Sequence, residues 1–179
     1  MSSISIAGDT SGSISLTVPS VAGTNTVTIP AVTGTVMVSS NMPAFSAYSA
    51  NTQTLSNSTT TKIAFNTKEF DTANCFDSTT NYRYTPNVAG YYQFNSSAQF
   101  AYTSTTRMRI ELYKNGALYK RLTDSNVAMN SITGGSIVYM NGSTDYVEIY
   151  ATITGTGTLT VNGGTADTTW FNGVLVRTA

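Results

Sequence analysis

The chain has 179 residues, a formal net charge of zero, no histidine and one cysteine, Cys75; charged residues make up 10% of it. Without imidazole there is no Ser-His-Asp triad and no histidine metal ligand, and one thiol builds neither an internal disulfide nor a cysteine-rich zinc site. Scattered cations in a neutral chain leave no footprint for nucleic acid, no apolar run is long enough for a membrane-spanning helix, and an apolar content of 40% suffices for a core.

Charge divides the chain. Asp9 is the only charged side chain in the first 60 residues, and the rest lie from Lys62 onward. This pattern reads as an N-terminal arm, residues 1–41, followed by a compact domain, residues 42–179. The opening MSSISIAGDTSG has neither the basic stretch nor the apolar core of a secretory signal, so ordinary secretion is not expected.

Within the arm, ISIAGDTSGSISL predicts a hairpin turning around Asp9-Thr10-Ser11-Gly12. LTVPSVAGT (Leu16 to Thr24) then recurs eleven residues later as VTIPAVTGT (Val27 to Thr35). Apolar residues alternating with threonine predict strands. Pro19 and Pro30 cannot donate to a ladder and belong at strand ends; Gly23 and Gly34 supply turns. Strands this short bury too little to stand alone. The arm therefore needs a partner, either copies of itself around a symmetry axis or another protein. Ile4, Ile6, Leu16, Val18, Val27, Ile29 and Val36 are its candidate contact residues.

From residue 42 the pattern is all strand. Strands are predicted over 44–48, 60–65, 82–84, 90–102, 106–114, 117–124, 131–140, 145–154, 157–161 and 169–176. Between them lie Lys114-Asn115-Gly116, Asn141-Gly142 and Asn162-Gly163-Gly164, and Asn-Gly is the strongest short hairpin cue. So many short strands indicate a β-sandwich or jelly roll. Tyr92, Phe94, Ser96, Ala98, Phe100 and Tyr102 form one alternating face, predicted to be buried. Tyr91, Gln93, Asn95, Ser97, Gln99 and Ala101 form the other, polar but nearly chargeless. By the same alternation Arg107, Arg109 and Glu111 point outward.

These residues carry a resemblance. PAFSAY (Pro43 to Tyr48) resembles the opening strand of the globular head of complement component C-one-q and its relatives. Lys62 to Phe100 follows at family-like spacing, with Pro86, Gly90, Tyr92 and Phe94 resembling a Pro-x-x-Gly-x-Tyr-x-Phe block, here with one residue more between Pro86 and Gly90. ELYKNG (Glu111 to Gly116) is similar to that family's Leu-x-Lys-Asn-Gly hairpin, and Phe171, Gly173 and Leu175 match its closing strand. The resemblance implies a jelly roll of the tumour necrosis factor type, assembled as a homotrimer. It further implies an aromatic threefold seam, for which Tyr91, Tyr92, Phe94 and Phe171 are the candidates. VAGTNTVTIPAVTGTV (Val21 to Val36) resembles segments common in tailed-bacteriophage fibre and other virion proteins, where they precede a C-terminal head. There is no collagen-type Gly-X-Y run.

Other sites rest on residue chemistry. Asp71, Asp77 and Asp124 fall in predicted loops and are candidate calcium ligands, or else solvated turn aspartates; no other cofactor is expected. Glu111 and Glu148 are candidates for paired glycosidase carboxylates, yet both alternate with apolar strand residues and are expected to face solvent or a neighbouring subunit. Cys75 reads as a small buried hydrophobe, and none of the many Ser and Thr hydroxyls has a visible base. Tyr82, Tyr84, Tyr102, Tyr113, Tyr119 and Tyr139 pair an apolar ring with a polar tip, suiting either sugar binding or packing.

The resulting expectation is a non-enzymatic bacteriophage structural protein at the virion surface, made in the host cytoplasm. It would be a short trimeric fibre whose arm, residues 1–41, holds other virion proteins and whose head meets a host-surface glycan or protein. The alternative is a capsid decoration or head fibre lying on the shell. A non-viral signalling or lectin-like head is a third class. Neither nucleic acid nor membrane insertion is expected.

Overall fold

The structure is a computed structural model, and it describes residues 3–28, 31, 36–38 and 42–179. The expectations for Ile29, Pro30 and Gly34 lie outside these residues. The chain divides into two compact units, Met1–Gly34 and Thr35–Ala179. The second begins ahead of the expected boundary, and Met37 packs half-buried against the head core.

The first unit is a hairpin of β1 (Ser3–Ala7) and β2 (Ser13–Thr17). Gly12 takes a left-handed φ of 77°, and the Gly8 N–H donates to the Gly12 carbonyl at 3.0 Å, closing the turn where Asp9 to Gly12 predicted it. Past β2 the repeat forms no strand among the described residues. Val27 and Thr28 are irregular and exposed, so alternation there meets no ladder among the described residues. Gly23 does supply a turn, at φ 64°.

The second unit is all β. Its strands are β3 (Ala44–Tyr48), β4 (Gln53–Thr54), β5 (Thr61–Lys62), β6 (Thr67–Asp71), β7 (Phe76–Asp77) and β8 (Arg83–Tyr84). They continue as β9 (Gly90–Ala101), β10 (Ser104–Lys114), β11 (Ala117–Ser125), β12 (Ser131–Met140), β13 (Val147–Thr156), β14 (Thr160–Val161) and β15 (Trp170–Thr178). One sheet runs β11-β10-β13-β8-β7, with β5 also on β13. The other runs β4-β14-β9-β15-β3-β6, with β12 also on β9. All the long strands stand where alternation and turn residues placed them. Asn115 and Gly116 both take positive φ between β10 and β11, as the Asn-Gly cue requires. β4, β6 and β7 are additional; two of them are two residues long and offer no period to read.

Inward-facing residues of both sheets make one core. Phe45 stacks on Tyr84 at 4.3 Å and on Phe76 at 4.9 Å, and meets Phe171 edge-on at 5.0 Å. Aromatic pairs at these separations add to the gain from burial alone. Gly173 sits where a Cβ would come within 2.5 Å of the Phe94 ring, so the closing strand needs glycine at this point. Tyr92, Phe94 and Phe171 are each 0% exposed, which corrects their assignment to a subunit seam. They fill the interior of a single head. Tyr91, next to Tyr92 on an extended strand, must point the other way, and it does.

Candidate interaction surfaces

The two sheets turn different chemistry outward. On the sheet containing β9, the pairings place side chains of neighbouring strands in rows. Tyr91 lies between Tyr139 and Arg177, and Gln93 between Ile137 and Val174. Asn95 follows between Gly135 and Asn172, then Ser97 between Thr133 and Trp170. The Tyr91 and Tyr139 rings are 5.5 Å apart, and the Arg177 guanidinium lies 5.1 Å from the Tyr91 ring centre. Gln93 donates to Asn95 Oδ1 at 2.8 Å, and Asn95 donates to Asn172 Oδ1 at 3.3 Å. Thr133 donates to Ser97 Oγ at 3.1 Å. Gly135 leaves room for this amide ladder, since a Cβ there would meet Asn95 Oδ1 and the Phe94 carbonyl.

This face is uncharged over most of its width. Strands β3, β9, β12 and β15 contain one ionisable cation, Arg177, and no carboxylate. Ile137, Tyr139, Val174, Val176 and Phe70 are all exposed, Ile137 at 55%. A shallow groove lined by Ala44, Ser46, Phe70, Asn172 and Val174 runs along the β6 side. Tyrosine and aliphatic groups with few charges are the composition of a buried interface centre, not of a solvated surface. Of this face, only Tyr91 came from the expected seam. Ile137, Val174 and Val176 are not among the residues expected from the sequence; the lack of charge in their strands is the signal there, but the pairing of β12 and β15 with β9 is what sets them beside Tyr91.

The other sheet carries ion pairs instead. Arg107 forks onto Asp124 through Nε at 2.8 Å and Nη2 at 2.6 Å. Glu111 Oε1 lies 3.1 Å from Arg121 Nε and 3.5 Å from Arg109 Nη1. Glu148 accepts from Lys62 Nζ at 2.9 Å, beside Tyr150, whose ring lies 4.0 Å from that of Tyr113. Glu111 and Glu148 do leave the core side of their strands, but each is under 5% exposed, not solvent-facing as expected. Long neighbouring side chains roof them over. Held in ion pairs beneath that roof, the two carboxylates are built as cross-strand links.

The three candidate calcium aspartates are not brought together. Among the described residues no three acidic, His or Cys side chains form a metal-sized group. Asp71 closes β6 and accepts the Cys75 and Phe76 N–H groups at 3.0 and 2.9 Å. Asp77 lies in β7 and organises the following turn. The Thr80 and Thr79 N–H groups that it accepts hold its carboxyl well below the usual range. Asp124 lies in β11 rather than a loop, and its hydrogen bond from Arg107 likewise lowers its pKa. Cys75 is half-buried against the core, and desolvation pushes its thiol up, away from reactivity.

The tyrosines separate by depth. Tyr84 is fully buried and drops out as a sugar contact; Tyr92, also buried, donates to the Val88 carbonyl at 2.8 Å, and desolvation pushes its pKa up to about 12. Tyr113 is occupied by its stack on Tyr150, whereas Tyr119 and Tyr139 are exposed. Tyr82 and Tyr102 are half-exposed.

In the arm, Ile4 pairs with Leu16 and Ile6 with Ile14. Directly opposed residues of an antiparallel pair share a face. One face of the hairpin is therefore four large aliphatics, exposed by 56–70%, while Ser5, Ser13 and Ser15 occupy the other. Val18, Val27 and Val36 are exposed as well.

No family model matches the chain, and no curated protein matches it significantly. Solved structures do. Murine APRIL superposes with a TM-score of 0.56 at 12% identity, over 75% of this chain and 99% of that one. Eiger TNF from S. frugiperda superposes with a TM-score of 0.53 at 11% identity, over 77% of this chain and 93% of that one. With two antiparallel sheets around an aromatic centre and this likeness spanning nearly all of both neighbours, the head of the chain is a jelly roll of the tumour-necrosis-factor type.

Proposed function

We propose that the chain is a non-enzymatic structural protein of a tailed-bacteriophage virion. It forms a short homotrimeric fibre at the virion surface, with the jelly-roll head projecting toward the host and the arm holding the particle. The observation that carries the reading is the nearly uncharged outer face of β9, β12 and β15, which has Arg177 as the one charged residue of these strands and exposes Tyr91, Ile137, Tyr139 and Val174 on one sheet. Three heads packed through such faces bury what a lone head leaves in water. The resemblance of Val21 to Val36 to virion-protein segments supplies the phage setting. Three heads on one stem bind multivalently, so weak single contacts to a glycan or protein suffice. The exposed Tyr119 suits such a contact; neither metal nor cofactor enters this role.

Native mass of the full chain tests the assembly. Three copies of the 19.0 kDa chain are expected. Ile137→Asp puts a charge into the face at an exposed position, so the monomer stays folded while the trimer weakens tenfold or more. A monomeric wild type overturns the reading. Antibody labelling of intact particles then locates the head: signal on the tail supports the fibre, and signal over the shell replaces it with a capsid decoration protein.

A further inference from the structure

We infer that the β1–β2 hairpin is a second self-association element, in which three copies pack their apolar faces around a common axis and form a short stem. The inference rests on the trimeric reading and names the occupant of the arm's apolar face as the hairpins of the other copies.

Its basis is how completely the two faces of the hairpin are sorted. Ile4, Ile6, Ile14 and Leu16 hold one side in two cross-strand pairs, and each is more than half exposed. Ser5, Ser13 and Ser15 share the other side with Ala7 and Thr17, and the only charge of the hairpin, Asp9, lies in the turn. A two-stranded hairpin of this length is marginal in water on its own. The apolar side offers no donor, acceptor or charge by which a foreign protein would be selected, but it is complementary to itself. Four aliphatics exposed to this degree amount to roughly 350 Å² per copy, the size of the largest apolar patch on an ordinary monomer. Three copies would together remove about 1,000 Å² from water, shared among three contacts, so the packing relies on the tether to a trimeric head.

Connectivity permits it. Between Thr17 and Met37, which packs against the head core, the chain can extend roughly 65 Å, long enough for three hairpins tethered to one trimeric head to meet. Such tethering raises their effective concentration toward the millimolar range, and face-to-face packing becomes intramolecular. Ile4, Ile6 and Leu16 are then consumed at the axis, and Val18, Val21 and Val27, all exposed, are among the aliphatics of the arm that can meet the virion.

Cysteine crosslinking of the full chain in a Cys75→Ala background decides this. Ile6→Cys places three thiols in one layer of the stem, and copper–phenanthroline oxidation should join two chains of each trimer. Leu16→Cys, on the same face, should behave alike and guards against a local effect of the first change. Ser5→Cys, on the opposite face, should crosslink at least tenfold less. If the particle is trimeric and neither apolar-face variant crosslinks, the face belongs to another protein and the inference fails while the trimer stands. Equal crosslinking at Ser5 also overturns it. A monomeric full chain overturns both.

Discussion

Strands β2 and β3 are each five residues long; β2 alternates hydroxyl and aliphatic side chains, and β3 sets Phe45 and Ala47 on one side with Ser46 between them. In β2, SISLT, every residue is exposed; in β3, AFSAY, the three central residues are buried. Local pattern is thus not what separates them. β3 lies between β15 and β6 in a sheet whose inner side is covered by a second sheet, so Phe45 finds aromatic neighbours on several sides. β2 has β1 alone, and Leu16 finds only Ile4 across the ladder. Alternation states which side chains share a face. Whether that face is covered depends on a second layer, which the head has and which the described residues of the arm do not form.

The widest gap between the two should appear on truncation. Phe45→Ala should cost the head about 3–5 kcal/mol, because a fully buried aromatic leaves both lost transfer energy and a cavity. Ile6→Ala in β1 should move the denaturant midpoint of the head by less than about 0.5 kcal/mol, the range of ordinary surface changes. Chemical denaturation followed by the fluorescence of Trp170 measures both. A large Ile6 effect on that transition would mean the arm contributes to head stability, and the comparison would collapse.

The same distinction explains what was legible beforehand. The Asn115-Gly116 hairpin and the strands flanking it were readable because turn chemistry and period-2 alternation act locally. The parity of β9 was readable too, and it already conflicted with a seam built from Tyr91 and Tyr92 together, since neighbours on a strand face opposite ways. Phe94 and Phe171 went to the seam by family resemblance, when their own alternation put them inside. Glu111 and Glu148 show a different limit. Alternation turns them off the core side correctly, but their burial under Arg109, Arg121, Lys62 and Tyr150 depends on how β10, β11, β13 and β5 pair and on how long side chains fold across them, which period alone does not state. The face around Ile137 and Val174 escaped for the same reason, because only the pairing of β12 and β15 with β9 assembles it.

Glycines sharpen the contrast at intermediate size. A Cβ at Gly135 would meet the Phe94 carbonyl at 2.8 Å and crowd the Asn95 amide, and backbone cannot step aside cheaply. Gly135→Ala should therefore destabilise the head by about 1–3 kcal/mol. Gly12→Ala in the arm meets no atom within 4 Å, although its φ of 77° disfavours a side chain. It should strain the hairpin turn and leave the head transition unchanged.

The smallest difference lies in how turns are held. The arm turn relies on a backbone bond from Gly8 to Gly12, whereas the head turn after β7 converges on one carboxylate. Asp77 accepts from the N–H groups of Thr79, Thr80 and Asn81 and from the Asn81 amide, at 2.7–3.1 Å. These donors favour the ionised form, so the folded pKa falls below the ordinary 3.8. Stabilisation from a depressed carboxyl is complete above the unfolded value and is lost as pH drops toward the folded one. Asp77→Ala should cost about 1 kcal/mol at neutral pH, the scale of hydrogen bonds partly replaced by water. Its penalty should shrink as pH falls below 4, where the wild type begins to lose the same contribution. Paired melts of wild type and variant at pH 7, 4 and 3 measure this; a penalty that stays constant with pH would mean the Asp77 charge does not hold the turn.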